Sequence, residues 1–156
     1  MTKTNKLSFE MKTYQNPWLR FLLSDRYMNL ALLVLRLFVG GMMLSHGIAK
    51  LLNFGALREG FPDPIGWGAA ASLVMIILVE VGCSLMVIAG ILTRFAVVPM
   101  VFAMIMAMTT LSATTFGGIE LPLLYVGMCV VIFIAGPGRC SIDYLVGRTL
   151  VHAEER

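Results

Sequence analysis

Four of the ionisable residues inside long apolar stretches are the ones to weigh for chemistry, Arg36, His46 and Lys50 in the first and Glu80 in the second. Such groups are costly within hydrocarbon unless they face protein, so they mark ligand sites, proton paths or structural pins. At about 100° per residue, Arg36, Gly40, Met43, Gly47 and Lys50 share one narrow stripe, with His46 about 40° round from Lys50. A stripe that is both small and cationic is a poor face for lipid and is expected to turn inward. Within it, His, Arg or Lys supplies the donor or cation that a carbonyl headgroup such as a quinone needs in a low dielectric. The same groups would serve a proton relay. Each also has a plainer role: Lys50 snorkelling to headgroups, Arg36 and Glu80 pinning two helices, His46 as a hydrogen-bonded core residue.

These residues are carried by segments long enough to cross a bilayer, which takes about 20 apolar residues. The expected spans are 29–52, 67–92, 95–116 and 119–135. The first is too long, and lies too far from the start, to be a secretory signal. Turn chemistry separates the spans: Phe61-Pro62-Asp63-Pro64-Ile65-Gly66, then Thr93-Arg94, then Gly117-Gly118. Pro99 and Pro122 are placed in the first turns of the third and fourth spans, where a missing N–H costs little. The predicted fold is all-α, an antiparallel four-transmembrane-helix bundle. It has a short interfacial helix before it, over 14–27, and a short cytoplasmic helix after it. In these terms 1–28 is a basic cytoplasmic or interfacial arm, 29–136 the membrane domain and 137–156 a cytoplasmic tail.

Lys and Arg gather in the arm, at Arg94 and in the tail, which predicts that both termini are cytoplasmic; the expected location is the bacterial cytoplasmic (inner) membrane. From that side, about 1.5 Å per residue places Arg36 roughly 10 Å deep, Glu80 roughly 18 Å and His46 roughly 25 Å. An Arg36–Glu80 pair and a His46–Glu80 pair, the latter with Lys50 near the outer surface, both remain open. Thr109, Thr110, Ser112, Thr114 and Thr115 add hydroxyls toward the outer end of the third span, for the same pocket or for backbone carbonyls at a helix end.

Composition supports this architecture. Hydrophobic residues make up 58% and charged residues 13%, about half the charge a soluble surface carries. The net charge of +3 comes from residues flanking the spans and does not suggest nucleic-acid binding. Cys83, Cys129 and Cys140 form no close-spaced couple and read as small buried hydrophobes rather than as a redox pair. Nucleotide-binding and zinc-protease motifs are missing, no metal site is expected, and His46 and His152 lie too far apart to ligate one heme within the bundle. After the fourth span, Gly136-Pro137-Gly138 ends the helix, Ser141 is placed to cap a short one, and Asp143 falls in its first turns. Arg139 sits at the cytoplasmic headgroups, and Asp143 is expected to pair with Arg94.

Three motifs in order carry a resemblance. Leu35-Arg36-Leu37-Phe38-Val39-Gly40-Gly41 with His46-Gly47-Ile48-Ala49-Lys50-Leu51 resembles the first span of the DoxX family. Glu80 with Gly82 and Gly90-Ile91-Leu92-Thr93-Arg94 is similar to its second, and Gly136-Pro137-Gly138-Arg139-Cys140-Ser141-Ile142-Asp143 to its terminal motif. Cys140 stands where an aromatic residue is commoner. The resemblance implies a four-helix membrane protein, with relatives tied to thiosulfate:quinone oxidoreduction and to complexes handling thiol or oxidative stress. By similarity it marks Arg36, His46, Lys50, Glu80, Arg94 and Asp143. The expected function is a quinone-associated membrane subunit of an oxidoreductase or stress complex, with no covalently bound cofactor. Its expected partners are the lipid bilayer, a redox partner protein and further copies of itself. The alternatives are a noncatalytic scaffold or assembly partner, and a small-solute or proton pathway. Catalytic residues are not assigned by the sequence.

Overall fold

The computed structural model describes residues 25–111 and 117–154. The expected interfacial helix over 14–27 lies almost wholly outside these residues, as do Ser112, Thr114 and Thr115. The described chain is helical, with no strand among the described residues. Helix α1 spans Asp25–Leu52 and is followed by the short α2, Phe54–Leu57. Helix α3 runs over Ala69–Leu78, passes through a π turn at Val79–Cys83 and continues over Ser84–Ala89. Helix α4 covers Thr93–Leu111, α5 covers Gly117–Ala135 and α6 covers Ile142–Glu154.

Over Tyr27–Leu52, Ala69–Ala89 and Thr93–Thr110 the helices are long and apolar enough to cross a membrane by length and composition, and Ile119–Ala135 adds a shorter apolar helix. The chain is a helical membrane bundle. Its outside is apolar: Leu52, Phe95 and Ile134 are 80%, 75% and 73% exposed, which no water-facing surface of this size would tolerate so often. Its interior centres on Val39, Met43, Val87, Val97, Met100 and Ile132, all buried.

Four boundaries differ from those expected. Helix α3 ends at Ala89 because Gly90, at φ 74°, takes the left-handed conformation that closes a helix. Its amide donates to the Met86 carbonyl at 2.8 Å. Helix α4 begins at Thr93, so Pro99 sits in its second turn rather than its first. Gly117 and Gly118 open α5 instead of preceding it, which moves Pro122 to the second turn as well. The connection after α1 is partly helical, through α2.

Two glycines let α1 and α3 come close. A Cβ on Gly40 would lie 2.6 Å from Ile88 Cγ1, and one on Gly47 would lie 2.9 Å from Glu80 Cβ. These two contacts set the register of the pair, Gly40 level with the end of α3 and Gly47 level with its π turn. Helix α5 packs along α4 and against α1, closing the bundle. At the opposite end of the bundle from the start of α1, Asp63 organises the approach to α3. It accepts hydrogen bonds from the amides of Gly66, Trp67 and Gly68 and from the Ser72 hydroxyl. The Ser72 hydrogen bond first, then those amides, hold its carboxyl below the ordinary range.

Candidate functional site

The stripe of α1 faces inward: Arg36 and Met43 are 1% exposed, and Gly40 and Gly47 are buried. Its charged members separate into two places.

At the end where α1 begins, Arg36 makes a clasp. Its Nε donates to the Val87 carbonyl at 2.9 Å and its Nη2 to the Ile88 carbonyl at 2.9 Å. These belong to the last turn of α3, whose carbonyls have no helical partner, and a guanidinium is well shaped to satisfy them. Nη1 reaches Pro137 at 2.5 Å and Cys140 at 3.2 Å in the loop after α5. That loop is held in turn by Asn29, whose Oδ1 accepts the Arg139 amide at 2.9 Å. Ser141 caps α6, accepting the Tyr144 amide at 3.2 Å.

Asp143 completes this end. Its carboxylate accepts the Leu92 amide at 2.7 Å, the Thr93 amide at 3.0 Å and the Thr93 hydroxyl at 3.1 Å. Leu92 has φ 45°, an unfavourable conformation for a branched residue, and Asp143 holds the turn that imposes it. The expected Asp143–Arg94 pair is therefore not formed; both carboxylate oxygens are spent on the α3–α4 turn, and Arg94 lies beside Gly136. Burial pushes the Asp143 carboxyl up. The Thr93 and Leu92 amides, the Thr93 hydroxyl and the Arg36 charge outweigh that and hold it below the ordinary carboxylate range. Every polar group of this clasp that reaches inward has a protein partner, so its work is to join α1, α3 and the tail.

Deeper in the bundle, Glu80 pairs with Lys50. Both carboxylate oxygens lie 2.5 Å from Lys50 Nζ, with the side chains 3% and 27% exposed for Glu80 and Lys50. The Arg36–Glu80 and His46–Glu80 pairs are both replaced by this one. The reason is register: α3 ends level with Arg36, about two turns inside the start of the first span, so Glu80 falls beside Gly47. Glu80 also sits in the π turn, a local widening that recurs at functional sites.

Tyr125 of α5 approaches the same place. It is 2% exposed, within electrostatic reach of Glu80, and its hydroxyl has no hydrogen-bond partner among the described residues. The imidazole of His46 stands edge-on to its ring, with centroids 6.3 Å apart and planes at 80°. His46 itself is exposed on the outer side of α1. Ser84, one turn past Glu80, has a second buried hydroxyl with no partner among the described residues. Thr109 and Thr110 instead satisfy backbone carbonyls of their own helix, at Met106 and Ala107.

Tyr125 was not singled out by charge or spacing. The available signal was its position, a phenol at the middle of an apolar span rather than at an interface where tyrosine usually sits. The arrangement offers a carboxylate, an ammonium, a phenol and an imidazole on three helices, able to hold a small polar headgroup or pass a proton. Among the described residues no three His, Cys, Asp or Glu side chains gather as metal ligands would. An open groove on α1 lined by Tyr27, Leu30, Val34 and Phe38 is apolar and remote from these groups.

An apolar-surfaced helical bundle with an ion pair and a phenol in its interior is an integral membrane protein with an internal polar site. The chain belongs to the DoxX family, which it matches over residues 31–113. It is 32% identical to an uncharacterized membrane protein of Mycobacterium tuberculosis, Rv3486, over 72% of this chain and 79% of that relative. No solved structure matches it.

Proposed function

We propose that this chain is a quinone-associated membrane subunit of an oxidoreductase, or of a complex handling oxidative or thiol stress. It would sit in the bacterial cytoplasmic membrane with both termini on the cytoplasmic side. The observation that carries the reading is the buried Lys50–Glu80 pair at the π turn, with Tyr125 and His46 beside it. Such a pair, with its carboxylate buried and its lysine partly exposed, contributes little net stability compared with well-packed apolar side chains, which favours a role in binding. A quinone headgroup is a neutral ring with two carbonyl acceptors, and a buried phenol beside an ion pair suits it. The chain carries no motif for an electron-transferring cofactor, so electrons would come from a partner protein and this subunit would supply the site. The orientation rests on Arg94 and Arg139 lying at the same end of the bundle as the start of α1.

The test is quinone content by solvent extraction and mass spectrometry on protein purified in mild detergent. Wild type is expected to carry near-stoichiometric quinone, and Glu80→Gln to lose it at matched lipid content. Quinone at the bulk-lipid ratio in both would end this reading. A second reading, a scaffold for a soluble partner, is favoured by α6, where Leu145 and Val146 are 61% and 50% exposed. Paired Leu145→Ser and Val146→Ser changes would then release the partner and leave quinone content alone.

A further inference from the structure

We propose that Tyr125 is the hydrogen-bond donor that recognises a neutral carbonyl ligand, and that the ligand reaches it sideways from the bilayer past His46. This rests on the quinone reading above and assigns the recognition within it.

The phenol is buried and its hydroxyl is unpartnered among the described residues, whereas buried hydroxyls normally find a partner. The charged groups nearby are committed to each other, Lys50 to both oxygens of Glu80, and the other unpartnered buried hydroxyl among the described residues, Ser84, lies one turn further along α3. Tyr125 is thus the donor on the far wall from this pair, facing it from α5, that we assign to the ligand. Because Lys50 and Glu80 neutralise each other, the site carries no net charge, and an oxyanion would meet the Glu80 carboxylate without a spare cation to offset it. A neutral acceptor such as a ring carbonyl meets no such penalty. Access follows from His46. Its imidazole stands against the Tyr125 ring from the exposed side of α1, so a lateral route from the surrounding lipid to the phenol runs past it. A ligand with an apolar tail can enter there with its tail still in hydrocarbon. The donor and the doorway lie on α5 and α1, which pack against each other.

The test uses the full chain in detergent or lipid discs, with a short-chain ubiquinone labelled with ¹³C at its carbonyls as the probe. Infrared difference spectra report whether a carbonyl accepts a hydrogen bond. In wild type the bound probe should show a downshifted carbonyl band. Tyr125→Phe removes one oxygen and keeps the ring; it should bind about tenfold more weakly, with the band returned to its free position. His46→Trp should slow exchange of bound for added probe and leave the band unchanged, and excess thiosulfate should not displace the probe. A Tyr125→Phe protein with wild-type affinity and band would overturn this assignment while leaving the quinone reading intact. Unchanged exchange in His46→Trp would overturn the lateral route, and displacement by thiosulfate the neutral-ligand assignment. No specific binding by wild type would overturn the quinone reading and this inference together.

Discussion

Removing either partner of the Lys50–Glu80 pair should have unequal consequences. In Lys50→Met, the Glu80 carboxyl is left without its partner at a site only 3% exposed, with no second cation paired to it among the described residues. Stranding a buried charge by deleting its partner costs about 3–5 kcal/mol. In Glu80→Gln, the ammonium left behind belongs to a side chain already 27% exposed, in the last turn of α1, and its stem can carry it outward. That loss should be about 1 kcal/mol, close to that of a partly exposed pair. The double variant removes both charges and should recover most of the loss of Lys50→Met. Reversible unfolding in mixed micelles by denaturing detergent, at fixed protein-to-lipid ratio, gives the three free energies and their coupling. Equal losses in the two single variants, or additive losses in the double, would refute the picture of a buried carboxylate held by a half-exposed lysine.

The clasp should be sensitive to shape as well as charge. Arg36→Lys keeps the cation but not the fork that serves four carbonyls, and should cost about 2–4 kcal/mol by the same unfolding measurement. Gly90→Ala must adopt φ 74° with its Cβ 2.6 Å from that of Ser141, and should cost about 1–3 kcal/mol; values within error of wild type for both would refute the clasp. Asp143 gives a pH signature. Its carboxyl is held below the unfolded value, near 3.9, so its contribution is present above about pH 4 and disappears as pH falls through the folded value. Melting curves between about pH 5 and pH 2 should fall more steeply in wild type than in Asp143→Asn, and parallel curves would contradict this.

The helices were legible because runs of apolar residues punctuated by Gly, Pro and charge leave few alternatives in a bilayer. The inward stripe was legible for a related reason, since Gly40, Gly47 and the cations recur at helical spacing. What could not be read was how far α3 slides along α1. Counting both from their cytoplasmic ends sets Glu80 between Arg36 and His46, whereas close approach at Gly47 sets it beside Lys50. That shift depends on tertiary contacts of Gly40, Gly47 and Arg36, which no one-helix count contains. The π turn escaped notice for the same reason, as nothing local in Val79–Cys83 requires the wider turn. Asp143 was placed near the right turn but given the wrong partner. The guess weighed side-chain charge alone, while the amides of Leu92 and Thr93 were nearer and unpaired within their helix.

The Arg36 clasp also has a chronology. Its partners on the tail are separated from it by 101 and 104 residues along the chain. At about 5–20 residues per second, the ribosome delivers them roughly 5–20 seconds after Arg36 itself has emerged. During that interval α1 can be received by the membrane, and the Val87 and Ile88 carbonyls arrive about midway, so the guanidinium is satisfied in two instalments. Arg36 thereby registers, in its own hydrogen bonding, how much of the chain has been made. A bundle released before the Gly-Pro-Gly loop is made lacks the Pro137 and Cys140 carbonyls and still carries a cation with half of its partners missing.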